Sequence, residues 1–167
     1  MLYYNLYGGS SLWSWNNRHC SRDTLYVSIF KKFAGIKLFH TKPALYGSAD
    51  IINVCNLHCS HCYWWLNRQE DDQDLSVEDW RETIRKTFKK QNLFVVTLVG
   101  GEPTMRPEII DLFCEEMPRR ICVVTNGYFP LKRIKNLYFY WISLDGTEKS
   151  HDAIRGRVPM PKLRVTF

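Results

Sequence analysis

Apolar and polar positions follow two different periods along this chain, and the switches between them mark out its elements. From Leu93 to Val99 the residues are almost continuously apolar over a strand's length. That pattern belongs to a strand covered on both faces, as in a parallel sheet layered with helices. Ala44–Val54, Ile121–Val124 and Tyr138–Leu144 read as three further core strands. Between the runs the period becomes helical. Val77, Trp80, Ile84 and Phe88 form one stripe, opened by Ser76 with Asp79 three residues later in the manner of a capping box. Glu78 and Asp79 at its start and Lys86, Lys89 and Lys90 at its end suit the helix dipole. Pro107 opens a second helix carrying Ile109, Ile110, Leu112 and Phe113, and Pro118 stops it. A short helix is predicted over Leu131–Asn136 and another over Thr147–Ile154, and Arg164–Phe167 reads as the start of a fifth strand. Asn126-Gly127 and Asp145-Gly146 are hairpin signals by themselves. Pro130 and the helical stretch after Asp145-Gly146 keep the next strand from following at once, so crossovers and a parallel sheet are expected instead.

Ahead of the first core strand, Tyr26, Ile29, Phe30, Phe33 and Ile36 recur at helical spacing between Leu25 and Phe39, with Lys31, Lys32 and Lys37 among them. A basic amphipathic helix of this kind lies on a membrane surface or docks on a neighbouring domain, and docking is the commoner arrangement. Gly35 weakens it and Pro43 marks its end. The expected division is therefore a lead-in over 1–43 and a core over 44–167. Residues 1–20 show no assignable element.

With 167 residues the chain has room for one real core. Hydrophobic content of 45% and charged content of 24% are those of an ordinary globular protein. The net charge of +6 reads as a solvated basic surface around a site for an anionic ligand, in preference to a nucleic-acid surface. Six cysteines without a secretory signal point to a reducing compartment, so a cytoplasmic protein is expected. No apolar run is long enough to span a membrane.

The candidate chemistry is concentrated in Cys55-Asn56-Leu57-His58-Cys59-Ser60-His61-Cys62. Three thiolates converging from a short loop are what an iron–sulfur cluster or a soft metal requires. A [4Fe–4S] cluster takes four thiolates, so three would leave one iron for a ligand outside the protein. Cys114 and Cys122 sit in helical and strand patterns as small hydrophobes.

The cysteine spacing, with aromatic His61 before the third cysteine, resembles the cluster loop of the radical S-adenosylmethionine (radical SAM) enzymes. Downstream, Gly100-Gly101-Glu102-Pro103 looks like that family's "GGEP" element. Thr125-Asn126-Gly127, Ser143-Leu144-Asp145-Gly146 and His151-Asp152-Ala153-Ile154-Arg155-Gly156 follow in the family's order. The resemblance implies an α/β fold, an incomplete parallel (β/α) barrel of about four units plus the start of a fifth. A full eight-unit barrel needs about 250 residues. It also implies that Cys55, Cys59 and Cys62 hold a [4Fe–4S] cluster whose open iron chelates S-adenosylmethionine. An electron from an external donor then breaks a carbon–sulfur bond, and a 5′-deoxyadenosyl radical takes hydrogen from a substrate that the sequence does not identify.

By the same resemblance, Gly100, Gly101 and Glu102 offer backbone to the methionyl ammonium. Ser143 and Asp145 reach the ribose or the methionyl carboxylate, Asn126 shapes the rim, and His61 packs near the cofactor. Arg155 either pairs with the carboxylate or is an exposed helix-end residue. His58 and His151 are expected to be structural or exposed. The sequence stops where a fifth strand would start, so the expectation is either a natural minimal enzyme or a cluster-binding fragment without turnover. A zinc module using the three cysteines with His58 or His61 is the remaining alternative, and it leaves Gly100–Pro103 unexplained.

Overall fold

The computed structural model describes residues 2–4, 22–40, 43–67 and 73–156. The chain divides into two units, one over 7–44 and one made by the remainder. In chain order the elements are β1 (Leu2–Tyr4), α1 (Arg22–Phe39), β2 (Tyr46–Asp50), α2 (Tyr63–Asn67), α3 (Val77–Thr83), β3 (Val95–Val99), α4 (Pro107–Glu116), β4 (Ile121–Thr125), β5 (Leu137–Ile142) and α5 (Glu148–Arg155). A π-helical segment, Ile84–Lys89, continues α3 without a break, and a 3-10 turn, Pro103–Met105, precedes α4.

In the smaller unit, α1 runs through Gly35 as one helix. Its apolar residues are not confined to the predicted stripe. At about 3.6 residues per turn, Val27 and Leu38 project opposite Ile29 and Ile36, and Lys37 falls inside the stripe. Lys32 Nζ donates to the Ala44 carbonyl at 2.7 Å and so holds the segment that follows the helix.

In the larger unit, β2, β3, β4 and β5 lie side by side in that order and are parallel throughout, the open α/β sheet expected of a partial barrel. One strand was not anticipated. β1 pairs antiparallel with the outer edge of β5, Leu2 opposite Ile142 and Tyr4 opposite Tyr140. Three residues carry too little pattern to be read as a strand by period alone.

The continuous apolar runs are buried as their pattern requires: Val96, Leu98, Ile121 and Val123 are wholly covered. Burying each such side chain contributes roughly 1.5–3 kcal/mol. Ser76 caps α3 as predicted, its hydroxyl accepting from the Asp79 amide at 3.2 Å while Asp79 Oδ2 accepts from the Ser76 amide at 3.3 Å. The stripe on α3 and its π-helical continuation meets α4 through aromatic contacts. Trp80 and Phe88 lie 5.4 and 5.6 Å from the Phe113 ring, at separations that favour tilted and edge-on pairs.

The predicted helix over Leu131–Asn136 does not form; residues 131–134 have no regular structure and a turn follows. So short a segment has little helical stability of its own and forms a helix only where tertiary contacts support it. Tertiary bonds set their path instead. Leu131 is buried, the Tyr140 hydroxyl donates to the Lys132 carbonyl at 2.9 Å, and Asn136 turns the chain with φ 66°. Arg164–Phe167 and most of residues 1–20 lie outside the described residues.

Glu116 locks α4 to the helix before it. Its carboxylate accepts from Lys89 at 2.7 Å and Arg85 at 2.8 Å, with Arg81 at 3.5 Å. The Lys89 and Arg85 hydrogen bonds outweigh desolvation and pull its pKa from 4.5 down to about 2. A depressed carboxylate pKa stabilises the fold above the unfolded value, and that contribution is lost as pH falls through the folded one. Glu116→Gln should therefore lower the urea midpoint at pH 7. The gap from wild type should narrow between pH 4.5 and 2; a gap that is constant with pH would exclude this role.

Candidate functional site

The carboxyl edge of the sheet gathers four segments, one after each parallel strand, where ligand sites of such sheets are built. The cysteine loop follows β2, Gly100–Glu102 follows β3, Asn126 follows β4 and Ser143–Asp145 follows β5. Beyond the strands, β2 and β3 stay side by side. Ile51 donates to the Val99 carbonyl at 3.0 Å, Gly101 to the Ile52 carbonyl at 2.9 Å and Glu102 to the Val54 carbonyl at 3.0 Å. A Cβ on Gly101 would lie 2.1 Å from the Val54 carbonyl oxygen and 2.9 Å from the Cys55 nitrogen. One on Gly100, at φ 119°, would lie 2.4 Å from the Ile52 oxygen. The two glycines permit close backbone approach. The backbone they approach is the chain's own, leading into the first cysteine, and the amides of Gly101 and Glu102 are engaged there.

Glu102 is buried, at 1% exposure. Its Oε1 accepts from the Thr104 amide (3.1 Å), the Thr104 hydroxyl (2.5 Å) and the Thr125 hydroxyl (2.7 Å), and its Oε2 from the Asn126 amide (2.8 Å). Neutral donors alone thus satisfy a buried carboxylate, which ties the end of β3 to the end of β4. Asn126 extends the connection. Its Oδ1 accepts from the Tyr128 amide at 2.9 Å, and its Nδ2 donates to Asn56 Oδ1, inside the cysteine loop, at 2.9 Å.

The loop is held on its other sides as well. Trp65 Nε1 donates to the Leu57 carbonyl at 2.7 Å, and the His58 ring stacks on Trp65 at 3.7 Å, which gives His58 a structural role. The Ser60 amide donates to the Ile154 carbonyl at 2.9 Å, joining the loop to the end of α5. Asp74 Oδ1 accepts from the Asn53 amide at 2.7 Å. Arg106 donates to the carbonyls of Ile51 and Leu75, both at 3.0 Å.

Arg155 is not the exposed helix-end residue that was one of its two expectations. Its side chain is 10% exposed, and its Nε donates to Asp145 Oδ2 at 2.5 Å. Exposed His61 lies 4.0 Å from the same oxygen, and buried His151 accepts from the Asp145 amide at 3.4 Å. Desolvation raises the Asp145 pKa, but the Arg155 hydrogen bond and charge, with His61 and His151, more than reverse it and leave the carboxyl below its ordinary range. The Ser143 amide donates to the Thr125 carbonyl at 3.0 Å, which extends the β4–β5 pairing to the rim.

Cys55, Cys59 and Cys62 are partly buried and unpaired, and the Cys62 amide donates to the Cys59 carbonyl at 3.1 Å in a tight turn. Desolvation raises the pKa of Cys55, with Glu102 and the neighbouring thiols adding to it against a hydrogen bond from the Leu57 backbone. Desolvation raises Cys59 too, opposed chiefly by Arg155. Among the described residues, no three His, Cys, Asp or Glu side chains converge closely enough to hold one ion. A four-iron cluster takes each thiolate on a different iron, so three free thiols on one loop suit its donor set.

Asn56, Thr104, Thr125, Ser60 and Arg106 are the supporting residues that sequence reasoning did not select. Asn56 and Thr125 lie inside the motifs and were within reach of it. Ser60 and Arg106 act on backbone carbonyls far along the chain, for which the sequence carries no local signal.

A sequence model of the Radical SAM superfamily matches residues 50–162. Fe-coproporphyrin III synthase of Methanosarcina barkeri is 33% identical over 110 residues, 61% of this chain and 27% of that protein. Mycofactocin maturase MftC of Mycobacterium tuberculosis is 30% identical over 116 residues, 64% of this chain and 29% of that protein. The matched segment is thus little more than a quarter of these relatives' length. Among solved structures, Streptococcus suis SuiB bound to precursor peptide SuiA superimposes with a TM-score of 0.60 at 23% identity, covering 91% of this chain and 37% of SuiB. SuiB bound to S-adenosylmethionine gives 0.57 at 22% identity, over 87% and 36% of the two chains.

The glycine geometry has a direct test. A Cβ on Gly101 meets only backbone, which cannot give way, whereas a Cβ on Gly47 meets the flexible end of Leu93 at 2.6 Å. Gly101→Ala should destabilise the fold by about 1–3 kcal/mol in urea titration, clearly more than Gly47→Ala. Equal effects would refute the backbone contact.

Proposed function

Since the chain belongs to the Radical SAM superfamily, we propose that it is the core of a radical SAM enzyme in which Cys55, Cys59 and Cys62 hold the [4Fe–4S] cluster. That family uses the cluster together with S-adenosylmethionine, and the pair supplies reductive cleavage of the cofactor for hydrogen abstraction from a substrate. The observation that carries the reading is the placement of three free thiols on a loop braced by both the Gly100–Glu102 segment and Asn126.

The protein's residues divide the remaining work. Gly100 and Gly101 face the methionyl ammonium through their carbonyls, because an ammonium only donates hydrogen bonds. Glu102 and Asn126 keep the rim in register from within. Ser143 and Asp145 serve the ribose or the methionyl carboxylate, and Arg155 acts through Asp145 by holding its carboxylate charged and aimed. His61, exposed beside Asp145, closes the rim on the cysteine side. An external donor supplies the electron. The relatives' named reactions include a synthase, a cyclase and a maturase, so the family assigns no substrate class.

A second reading is favoured by the extent of the sheet. With four parallel strands in an open sheet and about a quarter of the relatives' length matched, the chain binds a cluster but needs further structure for turnover. Among the described residues, no helix is long and apolar enough to cross a membrane.

Anaerobic reconstitution with iron and sulfide, followed by reductant and S-adenosylmethionine, separates the readings. Enzyme activity predicts an iron–sulfur absorption spectrum and 5′-deoxyadenosine by chromatography, both lost in Cys55→Ala, Cys59→Ala and Cys62→Ala. A full cluster without 5′-deoxyadenosine selects the second reading. Stoichiometric zinc in place of iron and sulfide overturns both.

A further inference from the structure

Past the last pairing of β5 the sheet stops guiding the chain. The Ser143 amide still reaches the Thr125 carbonyl at 3.0 Å, but the Asp145 amide donates to a side chain, Nδ1 of His151, at 3.4 Å. Gly146, at φ 99°, then turns the chain into α5. A neutral imidazole carries one proton on its two nitrogens, and Nδ1 is here the acceptor, so the proton belongs on Nε2. His151 is 1% exposed, and its own amide donates to the Thr147 carbonyl at 2.8 Å, which seats the ring from the first turn of α5.

A residue that only filled this space would be apolar, because burying a ring nitrogen costs free energy unless it is hydrogen-bonded. The imidazole supplies an acceptor for an amide that has left the sheet. One turn later, at the helical spacing of four, Arg155 Nε donates to the carboxylate of the same Asp145 at 2.5 Å. The two α5 side chains thus hold the main chain and the side chain of Asp145 separately. Between them, the Ile154 carbonyl accepts from the Ser60 amide at 2.9 Å and the Ser60 hydroxyl at 3.3 Å, so the same end of α5 is tied to the cysteine loop. Arg155 grips only the tip of Asp145, and a tip contact leaves the backbone beneath it free to rotate. His151 removes that freedom.

We propose that neutral His151, protonated on Nε2, is a positioning residue for S-adenosylmethionine: by accepting the Asp145 amide proton it sets the orientation in which the Asp145–Arg155 pair meets the cofactor. This rests on the assignment of Asp145 to the cofactor above.

The test pairs a readout on the ring with cofactor affinity, and neither needs turnover. In the full chain labelled with 15N-histidine, two-bond nitrogen–proton spectra should show His151 with its proton on Nε2. A proton on Nδ1 overturns the proposal. Affinity for S-adenosylmethionine is measured by anaerobic calorimetry on reconstituted protein whose iron and sulfide have been counted. His151→Leu leaves the Asp145 amide without its acceptor and should weaken binding about tenfold. His151→Asn, whose carbonyl oxygen stands near the place of Nδ1, should restore it to within about threefold. Added to Asp145→Ala, His151→Leu should cost nothing further, because its effect runs through Asp145. An equal loss in both backgrounds marks a general role in folding and overturns the proposal, as does wild-type affinity in His151→Leu. Should His151→Leu fail to fold, His151→Gln takes its place, since its amide reaches the position of Nε2 and not of Nδ1. Affinity in His151→Gln equal to that of His151→Asn then overturns the proposal. Reconstituted wild type that binds no S-adenosylmethionine, or unchanged affinity in Asp145→Ala, refutes the cofactor assignment itself. A loss in Asp145→Ala with none in His151→Leu refutes only the role of His151.

Discussion

The close run of Gly100 and Gly101 along residues 52–55 is the contact on which the rest of the carboxyl edge depends. Past the last residues of β2 and β3 the two chains continue side by side, and no side chain fits between them. This delivers Cys55 at a fixed height above the sheet, although the loop after it has little regular structure of its own. A loop with so few internal bonds would otherwise sample many conformations, with a corresponding entropy to lose on binding a cluster.

A second layer of support acts across the strands. Glu102 accepts four hydrogen bonds from Thr104, Thr125 and Asn126, and Asn126 passes the connection to Asn56. Ser60 links the loop to the end of α5, where Arg155 holds Asp145. Several polar groups that look like ligands in the sequence are thus bonded to one another. Their contribution is preorganisation: the rim is in place before anything binds, so less of the binding energy goes into ordering it.

Legibility followed the range of the forces involved. The four parallel strands and the helices at 77–89, 107–116 and 148–155 were readable because burial imposes period and because caps and breakers act within a few residues. Ser76 and Asp79 formed the capping box that their spacing announced. The helix assigned to Leu131–Asn136 failed because its weak local preference was overridden by Leu131 burial and the Tyr140–Lys132 bond. β1 was invisible because three residues have no period, and their pairing with β5 is a property of the sheet edge.

The sequence by itself determined the order of the four parallel strands and of the helices between them at 77–89 and 107–116, the family and the three thiols, all of which rest on residue types at short, fixed spacings. Only the tertiary structure decided which atoms of the motifs face outward and which are taken up internally. Arg155 meets Asp145 within ten residues, yet nothing in the intervening positions distinguishes that bond from a free guanidinium. Asn56 and Asn126 are 70 residues apart, and Ser60 and Ile154 are 94 apart. Hydrogen bonds at such separations depend on strand order and crossover path. The physical reason is that a polar group's partner is chosen by proximity after folding, whereas its identity is all that the chain records beforehand.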